Sequence, residues 1–128
     1  MSEAIQDAVR QPAIRVLMMP KETNALGTIF GGIILSYIDQ AGAVEAHRHG
    51  ARRLVTVAMR EVVFHQPVFV GDLVSFWTET LRIGTTSITT KVVVDSIRTA
   101  GERVTVTEAQ VVYVNVGPDG RPKPIREC

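Results

Sequence analysis

The chain has 128 residues, of which 45% are hydrophobic and 21% are charged. This length is typical of one domain with one hydrophobic core, so we expect a single domain over residues 1–128 with its core at about 13–125. The 14 basic and 13 acidic residues nearly balance, and no basic or acidic tail is evident. We therefore expect no binding to nucleic acid. The single cysteine, Cys128, has no intrachain partner for a disulfide, and no signal peptide or membrane span is predicted. We therefore expect a cytoplasmic protein that makes no contact with a membrane.

The first part of the chain predicts one strand and one long helix. The segment AIRVLMM (13–19) favours a strand that Pro20 ends, and a loop follows to about Thr28. Apolar residues then recur at helical spacing, at positions 33, 34, 37, 38, 41 and 44. They predict a helix from about Phe30 to Arg48, with Gly50 as its C-cap.

The rest of the chain predicts strands. Segments rich in Val, Ile and Thr cover residues 53–64, 73–83, 87–98 and 103–116. Turn signals separate them at 65–72, 84–86 and 99–102, and a further turn signal follows at 117–120. One long helix and about five strands with short connections predict an α+β fold, with an antiparallel sheet packed on the helix. Because long apolar edge strands need covering, we also expect the sheet to continue across a dimer interface.

Asp39 is the residue of the helix that most needs an explanation. It follows Ile38 in the apolar stretch, and a carboxylate in such surroundings is unfavourable unless it is paired, hydrogen-bonded or used in chemistry. It is either a structural acid bonded to a neighbour or a catalytic group. Desolvation by apolar neighbours would make such a carboxylate a stronger base.

Six segments together resemble one enzyme family. In chain order they are MPKETNALGTIFGG (19–32), YIDQAG (37–42), VTV (55–57), FHQPVFVGD (64–72), GTTSI (84–88) and YVNVGPDGRPKPI (113–125). In this combination the chain resembles the bacterial acyl-CoA thioesterases of the YciA type and the eukaryotic cytosolic acyl-CoA hydrolases. The resemblance implies the hotdog fold, in which an antiparallel sheet wraps one helix and two subunits join their sheets edge to edge.

The resemblance also implies an activity and its residues. The family hydrolyses acyl-CoA to a free acid and coenzyme A, so coenzyme A is part of the substrate and no separate cofactor is expected. Asp39 matches the family's catalytic carboxylate, and Asn24 matches the asparagine that works with it. Thr56 and Val57 are implied to contact substrate. The segment Gly84, Thr85, Thr86 and Ser87 is implied to lie near the pantetheine and nucleotide of coenzyme A.

Several roles stay open on the sequence alone. Asp39 either activates water or attacks the thioester itself to form an anhydride. Asn24 is either a turn residue or a donor to the thioester oxygen. Gly31 and Gly32 either permit close packing or let substrate approach free N–H groups at the helix start, where an oxyanion is favoured. The segment 84–87 is a hairpin turn, with or without a phosphate-binding role.

Helix geometry predicts a site shared between subunits. Gly32 and Asp39 are seven residues apart, which at about 1.5 Å per residue separates them by roughly 10 Å along the helix axis. One reacting carbon needs the base and the oxyanion donors each within about 3 Å or one water. We therefore expect Asp39 of one subunit to face Asn24 and the glycines of another, in an interfacial substrate tunnel. The resemblance implies the same arrangement, in dimers that assemble as hexamers.

Other chemistries find less support. His47 and His49 diverge on a helix, so no metal site is expected. His65 lies in a loop with no partner that the sequence identifies. The rival functions are a hotdog hydratase or dehydratase, which would use a histidine with a carboxylate, and a non-enzymatic acyl-CoA-binding protein.

Overall fold

The computed structural model describes residues 10–125, so Cys128 lies outside the described part of the chain. The elements are β1 (Ile14–Leu17), a 3-10 turn (Pro20–Glu22), α1 (Gly31–His47), β2 (Leu54–Phe64), β3 (Leu73–Ile83), β4 (Ser87–Ile97) and β5 (Arg103–Asn115). Among these elements, no helix is long and apolar enough to cross a membrane. The cytoplasmic location and the single-domain assignment stay predictions.

The five strands form one sheet in the order β1-β3-β4-β5-β2, and every neighbouring pair is antiparallel. The predicted α+β architecture is therefore confirmed, with strand bounds close to those expected. Two details differ. β1 is shorter than the predicted 13–19, because its pairing with β3 ends at Leu17, which faces Leu73, the first residue of β3. Gly50 is not the C-cap: Arg48 caps α1, and Gly50 ends the following turn at a φ of +87°.

The core lies between α1 and the inner face of the sheet. Side chains of β4 alternate, and those at positions 88, 90, 92 and 94 are buried toward the helix. Ile34, Ile38 and Ala41 of α1 pack into the same cluster. Burial of these aliphatic groups supplies the main driving force that fixes the helix on the sheet.

β2 forms one edge of the sheet and is largely exposed. Its exposed apolar side chains are Val55, Val57, Val63 and Phe64. Two irregularities interrupt its pairing with β5, one between Thr56 and Ala58 and one between Arg60 and Val63. A long, apolar edge strand of this kind favours pairing with a second chain.

Glu45 of α1 is a charged group that the fold buries. Only 5% of its surface is exposed. Thr78 and Thr80 of β3 donate hydrogen bonds to its two carboxylate oxygens at 3.0 and 2.6 Å, and Arg48 contacts it at 3.2 Å. Burial raises the pKa of Glu45, but the bonds from Thr80 and Thr78 and the charge of Arg48 outweigh that effect, so the pKa lies below its ordinary value.

We predict a pH-dependent contribution of Glu45 to stability. Because its folded pKa is lowered, its contribution is present above the unfolded pKa and is lost as the pH falls through the folded pKa. Glu45→Gln should destabilise the protein by about 1–3 kcal/mol at neutral pH and flatten the acid side of the stability profile. Urea unfolding between neutral and acidic pH measures both effects. The control is Glu79→Gln, an exposed glutamate of the same strand that holds Thr78 and Thr80. An unchanged acid profile in Glu45→Gln would contradict the prediction.

Candidate active site

Asp39 lies in the middle of α1 and is only partly buried. Its carboxylate Oδ1 accepts a hydrogen bond of 2.7 Å from Thr56 Oγ1 on β2. The next residue, Val57, is the extra residue of the irregularity in β2. Bulges of this kind redirect side chains and are frequent beside active sites. The structure thus brings together two of the predicted site residues, Asp39 and Thr56, with Val57 next to Thr56 in the chain, and contact of Thr56 and Val57 with substrate stays a prediction.

A residue that the sequence did not single out also contacts Asp39. The hydroxyl of Tyr113, on β5, donates a hydrogen bond of 2.5 Å to the main-chain carbonyl of Asp39. Tyr113 is 1% exposed. Burial raises the pKa of the Tyr113 hydroxyl well above its ordinary value, and the charge of the Asp39 carboxylate raises it further. The tyrosine is therefore neutral and acts as a hydrogen-bond donor.

Asn24 holds its own loop in shape. Its Oδ1 accepts from the main-chain N–H of Leu26 at 2.8 Å and of Thr28 at 3.2 Å. Its Nδ2 donates to Thr28 Oγ1 at 2.9 Å. This is the turn role that the sequence left open. An amide nitrogen carries two hydrogens, so the bond to Thr28 leaves a second N–H that can serve a substrate oxygen.

Gly31 and Gly32 form the first turn of α1. The Phe30 N–H donates to Glu22 O, and within residues 10–125 no acceptor takes the N–H groups of Gly31 or Gly32. A Cβ on Gly31 would lie 3.6 Å from Phe64, and one on Gly32 would lie 3.6 Å from Phe30, both ordinary contact distances. Packing within this chain therefore does not require either glycine. That fits the interpretation in which another group approaches the helix start.

An open cavity of about 310 Å³ lies beside Gly31. Its lining is mainly apolar, with Ile29, Ile34, Phe64 and Val68 among its walls. His65 also lines this cavity, and its Nε2 is 2.9 Å from Glu108 Oε2. The sequence gave no partner for His65, because residues 65 and 108 meet only through the pairing of β2 with β5.

The predicted site residues fall into two groups within one chain. Gly31 lies against Phe64, which pairs with Thr107 of β5. Asp39 lies against Thr56, which pairs with Tyr113. Thr107 and Tyr113 are six residues apart, or roughly 20 Å along the strand. The loop of Asn24 belongs to the Gly31 group. The Asn24 N–H donates to Thr28 O at 2.8 Å, and the next residue, Ile29, donates to Val68 O at 2.7 Å in the wall of the cavity beside Gly31. Asp39 and the glycine turn of one chain therefore occupy separate regions.

The segment from Gly84 to Ser87 is the hairpin turn between β3 and β4. The Gly84 N–H donates to Ser87 O at 2.8 Å, so this donor is already used. The carbonyls of Thr85 and Thr86 accept N–H groups of Ile125 and Asn115, which fixes the C-terminal segment on the turn. The turn also borders an open cavity of about 360 Å³ together with Pro124. The predicted hairpin turn at residues 84–87 is confirmed, and its contact with coenzyme A stays a prediction.

The remaining histidines contact other groups. His47 Nδ1 is 2.7 Å from Ala51 O, and His49 Nε2 is 2.7 Å from Thr80 Oγ1. In the part of the chain that the structure describes, no group of three or more His, Cys, Asp and Glu side chains forms a metal site.

Comparisons with known proteins place the chain in a family. The family model described as "Thioesterase superfamily" matches residues 26–101. The acyl-CoA thioester hydrolase YciA of Salmonella typhimurium is 41% identical over 116 residues, which cover 88% of this chain and 87% of that protein. The chain belongs to the thioesterase superfamily. The predictions of a thioester hydrolase and of resemblance to YciA-type enzymes are confirmed.

Solved structures show the same fold. A hexameric hotdog fold thioesterase of Campylobacter jejuni matches with a TM-score of 0.84 and 42% identity, covering 91% of this chain and 90% of that one. The hexameric thioesterase y2039 of Yersinia pestis matches with a TM-score of 0.86 and 37% identity, covering 91% and 95%. The predicted hotdog fold is therefore confirmed.

We predict opposite effects on stability for two glycine substitutions in α1. Gly31→Ala should keep or raise stability, because its Cβ would meet Phe64 at an ordinary distance and alanine favours helix. Gly42→Ala should lose about 1–3 kcal/mol, because its Cβ would lie 2.3 Å from the Tyr113 hydroxyl. Chemical denaturation of both variants tests this. Wild-type stability in Gly42→Ala would contradict the Tyr113 contact. A loss in Gly31→Ala would show that a group from outside this chain occupies the space.

Proposed function

We propose that the protein hydrolyses acyl-CoA thioesters to a free acid and coenzyme A, with Asp39 as the catalytic carboxylate. The observation that carries this proposal is the position of Asp39, an acid in an apolar helix whose side chain is oriented by Thr56. A purely structural acid in the core would be surrounded by donors, as Glu45 is. Asp39 instead keeps part of its surface accessible. The named activity of the YciA relative also supports the assignment.

The chemistry divides between the two groups of residues. Asp39 takes a proton from water as the water attacks the thioester carbonyl carbon, the C–S bond breaks, and the coenzyme A thiolate leaves and is protonated. The second N–H of the Asn24 amide and the first-turn N–H groups at Gly31 and Gly32 stabilise the oxyanion that forms meanwhile. Direct attack by Asp39 would instead give an anhydride that water then hydrolyses. Water labelled with oxygen-18, followed by mass analysis of the enzyme after one turnover, separates the two routes.

Each site would draw on two subunits. The separation between Asp39 and the Gly31 group within one chain supports this arrangement, since one reacting carbon must reach both. The apolar edge strand β2 supports pairing of two sheets into a dimer. The Campylobacter and Yersinia thioesterases are described as hexameric, which supports assembly of such dimers into a hexamer here.

The cavity beside Gly31 is the best candidate in this chain for the acyl group. Its walls are mainly aliphatic and aromatic side chains, which suit a hydrocarbon chain. It adjoins the helix start where the thioester oxygen would be held. The hairpin turn Gly84–Ser87 and its neighbouring cavity would then serve the coenzyme A portion.

One observation favours a second candidate function, hydration of an unsaturated acyl thioester. His65, in the wall of the cavity beside Gly31, forms a histidine–carboxylate pair with Glu108. Such a pair can act as general acid and base. An assay with an enoyl-CoA distinguishes the functions, because hydration removes the conjugated absorbance without releasing free thiol. We expect thiol release, and we expect it to survive His65→Gln.

We predict that Asp39→Asn keeps the fold while thioester hydrolysis falls by two or more orders of magnitude, as expected for loss of a general base. The measurement is free-thiol release from a series of acyl-CoAs of increasing chain length, with circular dichroism and binding of substrate as checks of folding. Glu79→Gln, which removes an exposed carboxylate from the sheet, is the matched control and should be fully active. Near-normal turnover in folded Asp39→Asn would refute the assignment.

The shared site predicts complementation between two inactive variants. Asn24→Ala, which should lower turnover by roughly 10²-fold, is co-expressed with Asp39→Asn. If each site takes Asn24 from one subunit and Asp39 from the other, a mixed dimer has one intact site and one doubly damaged site. Random pairing makes about half of the dimers mixed, so activity should recover to roughly a quarter of wild type. Mixed dimers confirmed by native mass spectrometry but without recovered activity would contradict the shared site.

A further inference from the structure

We propose that Thr56 and Tyr113 form a positioning pair that holds Asp39 in place for hydrolysis, and that Gly42 is glycine so that Tyr113 can reach the helix. This inference rests on the proposed role of Asp39, and it assigns to Thr56 and Tyr113 a positioning role that acts through Asp39.

The pair is defined by strand register. Thr56 of β2 and Tyr113 of β5 are direct partners, so their side chains leave the sheet on the same face. Thr56 donates to the Asp39 carboxylate at 2.7 Å, and Tyr113 donates to the Asp39 carbonyl at 2.5 Å. One cross-strand pair thus fixes both the side chain and the main chain of a single helical residue.

Gly42 explains how a bulky side chain reaches the helix backbone. A Cβ at this position would lie 2.3 Å from the Tyr113 hydroxyl oxygen and 2.8 Å from Thr90 Oγ1. Both neighbours are buried, so neither can swing into solvent. Glycine in a helix interior is unfavourable relative to alanine, and its presence here therefore indicates a packing requirement. The group that needs the space beside Gly42 is the Tyr113 hydroxyl.

The consequence for catalysis follows from the geometry. The Tyr113 bond ties α1 to the sheet at the turn that carries Asp39, and the Thr56 bond selects one orientation of the carboxylate. A displacement of a catalytic group by about 1 Å can lower a rate by roughly 10²-fold. Loss of either hydroxyl should therefore act on the rate of the chemical step more than on substrate binding.

The first test is Tyr113→Phe, which removes one oxygen and keeps the ring. We expect kcat to fall by roughly tenfold or more while KM changes by less than about threefold. The control is Ser96→Ala, which removes another buried hydroxyl on the inner face, one that donates to Asp72 at 2.8 Å. Ser96→Ala should lower thermal stability and leave kcat unchanged. Equal kcat in Tyr113→Phe and wild type would overturn the role of Tyr113.

A second test uses Thr56, whose side chain is exposed and whose substitution leaves the core intact. Thr56→Val keeps the shape of the side chain without its donor and should lower kcat, whereas Thr56→Ser keeps the hydroxyl and should retain most of it. Equal activity of the two variants would overturn the role of Thr56. If Tyr113→Phe does not fold, Gly42→Ala provides the remaining test of Tyr113, because its Cβ displaces the hydroxyl, and it should lower kcat.

The outcomes also separate this inference from the proposed function. Absence of thiol release by wild type from any acyl-CoA would refute the proposed function. An active wild type and an inactive Asp39→Asn, together with unchanged kcat in both Tyr113→Phe and Thr56→Val, would overturn only the positioning pair.

Discussion

The contact between Tyr113 and α1 at Gly42 is the constraint on which the geometry of the candidate site depends. It joins the helix to β5, near the C-terminal end of that strand, by a hydrogen bond to the main-chain carbonyl of Asp39 from a tyrosine that is 1% exposed. A buried hydroxyl that lost its acceptor would be strongly unfavourable, so the helix position is tightly specified at this residue. The aliphatic contacts of Ile34, Ile38 and Ala41 hold the helix on the sheet, but they are non-directional and would tolerate small shifts. The polar contact sets the position of the helix.

Two carboxylates of α1 illustrate how environment assigns different roles to the same chemistry. Glu45 is buried and accepts bonds from two threonines and an arginine, which satisfies the charge and leaves only 5% of its surface exposed to a ligand. Asp39, six residues earlier, accepts a hydrogen bond from Thr56 and keeps an accessible face. The first arrangement stabilises the fold, whereas the second suits proton transfer. The difference lies in which strand residues face each turn of the helix.

The separation of the site into two regions connects the fold to assembly. The glycine turn, which follows the Asn24 loop in the chain, lies near the end of β2 at Phe64, and Asp39 lies near Thr56. β2 runs between these regions along the sheet edge and exposes a row of apolar side chains. The strand that would join two sheets therefore also carries residues of both halves of the site. In the proposed dimer, association and completion of the site are one event.

The sequence by itself determined the α+β class, the bounds of most elements and the family, because hydrophobic periodicity and motif order are local or linear properties of the chain. It also predicted Asp39 and Asn24 as catalytic and Thr56 as substrate-binding, since the family motifs contain them, and these roles stay predictions. It misplaced the C-cap at Gly50, because helix ends depend on the turn that follows. Gly42 and Tyr113 lie within two of the segments that carry the family resemblance. A glycine inside a helix often indicates that another group approaches the helix backbone closely. Only the tertiary structure showed which side chain approaches, because strand register places residues 56 and 113 side by side and the packing of α1 on the sheet brings them to Asp39 and Gly42.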